Sequence, residues 1–196
     1  PKIYWEYTSQ RILVAQWIDG IKINDVKALK KAGHNLKKLS VSLVNCYFDQ
    51  AYRDGFFHAD MHPGNLLVQK NGKIAFVDFG IMGRLSQSEK QYVTQIIYGF
   101  VKRDYQLNAR LHLNAGYVSN NTNIEEFAAA LRTIGEPVFG KDTQEISVAK
   151  FLTSLFQVTE EFGMQTQPQL LLLQKTLLLI EGVGGKLNPK LNMWDL

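Results

Sequence analysis

A single cysteine, Cys46, occurs among 196 residues, so this chain can build neither an internal disulfide framework nor a cysteine-rich metal centre, and it suits a reducing compartment. Histidine is scarce as well. His34, His58, His62 and His112 are too scattered to supply the clustered ligands of a transition-metal site. No apolar run reaches the roughly 20 residues that a membrane-crossing helix needs. The two most lipid-like stretches, residues 170–173 and 177–180, are separated by the polar Gln174 and Lys175, which fits a buried core helix better. The chain has no signal-peptide-like segment, internal repeat, low-complexity tract or linker-like break. Charge of one sign is also in short supply. A net charge of +4 is compatible with phosphates or an anionic membrane surface, but it is too small to indicate nucleic acid, and no nucleic-acid partner is expected. What the chain does contain is 45% hydrophobic residues, enough for a real core in one domain.

The most informative stretch is His58-Ala59-Asp60-Met61-His62-Pro63-Gly64-Asn65, followed by two aliphatic runs around Asn71-Gly72 and then Asp78-Phe79-Gly80. Asn-Gly between such runs is a strong hairpin signal, because both central residues of a type I′ turn need a positive φ. A two-residue turn would pair Lys70 with Lys73 and Gln69 with Ile74, and would set Asn65 opposite Asp78. Directly opposed residues have Cβ atoms roughly 5 Å apart, close enough for an amide oxygen and a carboxylate to share one hard cation. Asp60 lies just across the Pro63-Gly64 bend, aimed at the same end of the hairpin.

A carboxylate, an asparagine five positions on, and Asp78-Phe79-Gly80 after a short hairpin form the arrangement that protein-kinase-like phosphotransferases use. One aspartate then acts on the acceptor, and the asparagine and second aspartate hold Mg²⁺ against nucleotide phosphates. Two departures narrow the reading. Ala59 stands where an ordinary protein kinase has arginine, and no Ala-Pro-Glu follows Asp78-Phe79-Gly80, where the chain instead runs Ile81-Met82-Gly83-Arg84-Leu85-Ser86 into a helix. The segments 55–65 and 77–85 closely resemble the UbiB family of atypical kinases, associated with ubiquinone biosynthesis, although that family usually has proline at the place of Met61. Tyr4-Trp5-Glu6-Tyr7-Thr8-Ser9, Trp17-Ile18-Asp19-Gly20, Gln167-Pro168-Gln169-Leu170 and Gln174-Lys175-Thr176 fit it too.

The resemblance implies ATP and Mg²⁺ as cofactors, Asp60 as the residue acting on the acceptor, and Asn65 and Asp78 as metal ligands. It further implies a hinge in which the carbonyl of Gln16 and the amide of Ile18 read adenine, where the family commonly has glutamate in place of Gln16. The expected partners are a nucleotide, an unidentified phosphoryl acceptor, and a membrane surface or ubiquinone-biosynthesis proteins. The expected location is the cytoplasmic side of a bacterial membrane, or an organelle of bacterial origin. No Gly-rich phosphate loop or Val-Ala-x-Lys strand precedes the site, so an N-terminal lobe and a C-terminal membrane segment are expected to lie outside this chain. Two alternatives stand beside this reading. One is a small-molecule phosphotransferase of the aminoglycoside or choline kinase type, and the other is a non-catalytic scaffold.

The fold expected is α+β and mostly helical, a protein-kinase-like C-terminal lobe with a short β-hairpin at the cleft. Residues 1–20 would be the end of the N-lobe strands and the hinge, with a strand over 12–15, and residues 21–196 would be the helical lobe. Apolar spacing predicts helices over 35–52, 88–105 and 148–162. Asn123 is a plausible N-cap for another, and a last helix should run from Pro168 to Gly182, with the glycines 182, 184 and 185 as its cap and turn. Cys46, beside the stripe of the 35–52 helix, reads as inert packing.

Overall fold

The computed structural model describes residues 1–139, 147–164 and 167–193. Its elements, in order, are β1 (Ile21–Lys22), α1 (Val26–Lys31), α2 (Leu36–Phe48), β2 (Phe56–His58), β3 (Leu66–Val68), β4 (Ile74–Phe76), β5 (Met82–Arg84), α3 (Gln87–Val101), α4 (Tyr105–Asn114), α5 (Ile124–Phe139), α6 (Val148–Glu161) and α7 (Pro168–Leu187). The chain is α+β and mostly helical, as its periodicities require. Strands β1, β3 and β4 form one antiparallel sheet in that order, and β2 pairs with β5 in a second.

Residues 1–20 make an arch and not the strand expected over 12–15. Only Ile3 and Ala15 bridge, with Tyr4 N–H donating to Val14 O (2.9 Å) and Gln16 N–H to Lys2 O (2.8 Å). Trp5, Tyr7, Ile12, Leu13 and Trp17 lie exposed along this arch.

Helix α2 forms where its stripe places it. The Asn35 side chain accepts from Lys38 N–H at the N-terminus, and Leu39, Leu43, Val44 and Tyr47 are buried. A wider π turn over Asp49–Asp54 continues it and buries Ala51. Cys46 is free and half-buried, and its burial pushes the thiol pKa up, away from reactivity. The Tyr47 hydroxyl donates to Leu173 O (2.9 Å), tying α2 to α7.

Two helix boundaries differ from expectation. The 88–105 stripe breaks into α3 and α4, because Arg103 adopts a left-handed φ of 55° and the Asp104 side chain caps the next helix by accepting from Leu107 N–H. Helix α7 does not stop at Gly182 but continues to Leu187. Its buried stripe of Leu173, Leu177, Ile180, Val183 and Leu187 extends past the glycines, and a Cβ on Gly184 would crowd Leu191 at 2.5 Å. Glycine costs about 1 kcal/mol in a helix. Burying one Val or Leu side chain is worth about 1.5–3 kcal/mol, so packing wins. Helices α2, α3, α6 and α7 also border an apolar cavity of about 220 Å³, with none of residues 56–84 in its wall.

The hairpin exists, but its register is one residue from the expected one. Leu66 pairs with Phe76, Leu67 with Ala75 and Val68 with Ile74. The connection is the three-residue loop Lys70-Asn71-Gly72, closed by Gly72 N–H to Gln69 O (2.8 Å) and Gln69 N–H to Lys73 O (3.0 Å). The physical reason lies in Asn71, whose side-chain oxygen accepts Lys73 N–H (3.0 Å) while its backbone stays out of the left-handed region. Gly72 alone takes a positive φ, of 79°. A type I′ turn needs two such residues, so the turn lengthens by one. Asn65 therefore lies opposite Val77, whose N–H donates to Asn65 O (3.0 Å), and not opposite Asp78.

Candidate active site

Strand β2 delivers the chain into the loop that carries Asp60. Phe57 is fully buried with its ring edge-on to Tyr47, and β2 is held by pairing Phe56 with Arg84, Phe57 with Gly83 and His58 with Met82. Beyond the strand, Ala59 N–H donates to Ile81 O (3.0 Å), and Ala59 and Met61 are both fully buried. These two apolar neighbours anchor the loop from inside and leave Asp60 between them partly exposed. The His62 ring nitrogen Nδ1 accepts Gly64 N–H (3.1 Å) and caps the single 3₁₀ turn Pro63–Asn65, which Asn65 N–H closes onto His62 O (2.8 Å).

His58 is the hub of this loop. It is 1% exposed, and its Nε2–H donates to Val77 O (3.2 Å) while its Nδ1 accepts Asp60 N–H (3.1 Å). One imidazole thus fixes the backbone at Asp60 and at the residue preceding Asp78. Asn65 closes the circuit. Its Nδ2 donates to Asp60 O (3.0 Å) and Asp60 Oδ2 (3.2 Å), and its own carbonyl holds Val77 N–H. Asp60, Asn65 and Val77 are therefore tied together, and Asp78 follows directly on Val77.

Asp78 leaves the strand at a φ of 58°, and its Oδ1 accepts Gly80 N–H (3.3 Å). The oxygens Asn65 Oδ1 and Asp78 Oδ2 have no protein hydrogen bond among the described residues. An amide and a carboxylate oxygen are hard donors, the kind that Mg²⁺ takes from protein while phosphates and water complete its shell. Among the described residues there is no cluster of three or more His, Cys, Asp or Glu, so a metal held by protein ligands alone has no cage here. The donor set fits a metal that arrives with a nucleotide.

Gln16 and Ile18, the residues expected to form the hinge, sit on the N-terminal arch, Gln16 exposed and Ile18 half-buried. Gln16 uses its N–H on Lys2 O and its Oε1 on Lys2 N–H (3.2 Å). The Gln16 carbonyl and the Ile18 amide make no hydrogen bond among the described residues.

Residues 1–112 match the model of the ABC1 atypical kinase-like domain, and residues 131–192 match that of the UbiB helical domain. The chain belongs to the UbiB family of atypical kinase-like proteins. It is 46% identical over its whole length to a protein of Marinobacter nauticus named "Probable protein kinase UbiB", and 44% identical to one of Histophilus somni with the same name. It spans 36% and 37% of the lengths of those two relatives.

One residue near the site stands outside the sequence reading. Lys175 of α7 places its Nζ 3.7 Å from Asp60 Oδ1. The sequence signals for it were the polar Gln174-Lys175 pair that interrupts the leucine runs of α7 and the family-like segment Gln174-Lys175-Thr176, neither of which gave it a role.

Proposed function

We propose that this chain is the C-terminal lobe of an atypical kinase or ATPase of the UbiB type, which binds Mg-ATP and supports ubiquinone biosynthesis at the cytoplasmic face of a bacterial membrane. The observation that carries the reading is the closed circuit through His58, Asp60, Asn65 and Val77. It ties Asp60 and Asn65 to the residue that precedes Asp78, which supports this reading although the register differs from the one their spacing suggests.

In this reading Asn65 Oδ1 and Asp78 hold the metal, which when bound neutralises charge on the nucleotide phosphates. Asp60, half of whose carboxylate is restrained by Asn65, orients the acceptor or water and takes its proton. The free Gln16 carbonyl and Ile18 amide offer an acceptor and a donor on the arch for the adenine edge.

The test separates the two aspartates in a full-length protein. Asp78→Asn removes an anionic ligand and should weaken the Mg²⁺ dependence of nucleotide binding. Asp60→Asn should leave Mg-nucleotide binding within about twofold and lower turnover by about 10² to 10⁴-fold, the usual range for a general base. The reverse pattern, with binding lost in Asp60→Asn and unchanged in Asp78→Asn, refutes the assignment.

A further inference from the structure

The loop from His58 to Asn65 contains no lysine or arginine, and Ala59 occupies the place where ordinary protein kinases carry a cation. A positive charge reaches it from far away in the sequence. Among the described residues, Lys175 is the only basic side chain within 4.0 Å of an Asp60 carboxylate oxygen, facing Oδ1 at 3.7 Å while Asn65 Nδ2 holds Oδ2 at 3.2 Å. The two oxygens are thus flanked by different elements.

The contact does little for stability. Its side chains are 55% and 32% exposed and its length is beyond a hydrogen bond, and pairs of this kind are worth little to folding. Yet the backbone that carries it is fixed. Lys175 lies off the buried stripe of α7, and the helix is fixed on both sides of the contact. Leu173 O receives the Tyr47 hydroxyl (2.9 Å), and Gln169 Oε1 receives Arg84 N–H (3.4 Å) from β5. A lysine with no part in the core is held against one oxygen of one carboxylate by a helix bolted to the strand that follows Asp78-Phe79-Gly80.

We propose that Lys175 is a positioning residue for Asp60, so that the segment resembling the UbiB helical domain completes the site carried by the segment resembling the ABC1 domain. The proposal rests on the role of Asp60 given above. Lys175 holds the Asp60 carboxylate in the rotamer that aims it at the acceptor, and it leaves a positive charge beside the point where negative charge grows during transfer.

The experiment is a mutant cycle in the full-length protein, reading kcat and KM for Mg-ATP hydrolysis together with thermal unfolding. Lys175→Met should lower kcat by up to about fivefold, the upper end for loss of one partly exposed charge pair, with KM within about twofold and unfolding unchanged. Lys175→Arg should restore most of kcat. In the Asp60→Asn background, adding Lys175→Met should change kcat no further, because the lysine acts through that carboxylate. An unchanged kcat in Lys175→Met beside a lowered one in Asp60→Asn overturns this inference alone. It is overturned equally if the two losses multiply, or if the Lys175→Met loss comes with earlier unfolding and no rescue by arginine. Unchanged turnover in Asp60→Asn overturns the role of Asp60, and this inference with it.

Discussion

Replacing His58 should show how much the site depends on one buried imidazole. His58→Leu keeps a side chain of similar bulk in the core but removes both ring nitrogens, leaving Val77 O and Asp60 N–H without their partners. Each unsatisfied group in a mostly buried setting costs about 1–3 kcal/mol. The loss of ring contact with Phe76 and Phe79, at 6.1 and 5.4 Å, adds a smaller amount. A total near 3 kcal/mol corresponds to a fall in melting temperature of roughly 6–12 °C for a domain of this size. The two bonds can be told apart. An asparagine amide sits near the position of Nδ1 and a glutamine amide near that of Nε2, so His58→Asn should retain the Asp60 bond and His58→Gln the Val77 bond, each costing roughly half as much as leucine. In a full-length protein, His58→Leu should impair both the Mg²⁺ dependence of nucleotide binding and turnover, since it frees the backbone beside Asp60 and beside Asp78. If leucine costs under about 1 kcal/mol, or if asparagine and glutamine are as damaging as leucine, the imidazole is not the hub described here.

Two further outcomes follow from groups away from the loop. Glu181 of α7 accepts from the Ser147 hydroxyl (2.7 Å), Val148 N–H (3.2 Å) and Ala149 N–H (3.1 Å), so one carboxylate caps the N-terminus of α6. Glu181→Ala should destabilise the fold by about 2–4 kcal/mol, and denaturant unfolding that shows less than about 1 kcal/mol would contradict the cap. His112 is 3% exposed, its Nδ1–H donates to Asn108 O (2.8 Å), and burial pushes its pKa down from 6.5 to about 4. Between those values the unfolded chain binds a proton that the folded chain refuses. Its contribution is therefore fully present above pH 6.5 and is lost as pH falls toward 4, by about 3 kcal/mol in all. His112→Leu should flatten the stability–pH profile in that window, and an unchanged slope would show that the proton is taken elsewhere.

The parts of this fold that depend on near neighbours in sequence were legible. Asn35 and Asn123 cap the helices they precede, and α2 buries the predicted stripe. The spacing from Asp60 to Asn65 places the two residues in hydrogen-bond contact. Where the sequence misled, a competing interaction decided the outcome. A hydrogen bond donated by Lys73 N–H to the Asn71 side-chain oxygen lengthened the turn. Burial of Val183 and Leu187 kept α7 helical through glycines that propensity alone would end. The α3–α4 break was readable in principle, since Asp104 is a good N-cap, but the continuous apolar spacing on either side masked it. Lys175 stands in a family-like motif that carries no role for it, and no local rule relates residues 60 and 175.

The one-residue difference in register also explains why Asp78 has an unusual backbone. Opposed residues in an antiparallel pair share a face and successive residues alternate, so with Asn65 opposite Val77 a strand continued through residue 78 would turn Asp78 to the face away from Asn65. The chain does not continue as a strand. At Asp78 φ swings to 58°, a conformation that costs a non-glycine residue about 1–3 kcal/mol. Aspartate is among the side chains that tolerate it best, and here Oδ1 recovers part of the cost by taking Gly80 N–H. The remainder is held by what precedes it. Val77 is clamped on both sides, its N–H by Asn65 O and its O by His58 Nε2–H, so the strand cannot relax by extending one residue further. A glycine at 78 would remove the strain and the carboxylate together. That an aspartate stands there, surrounded by the bonds needed to sustain it, is a physical reason for the proposal that Asp78 is a metal ligand.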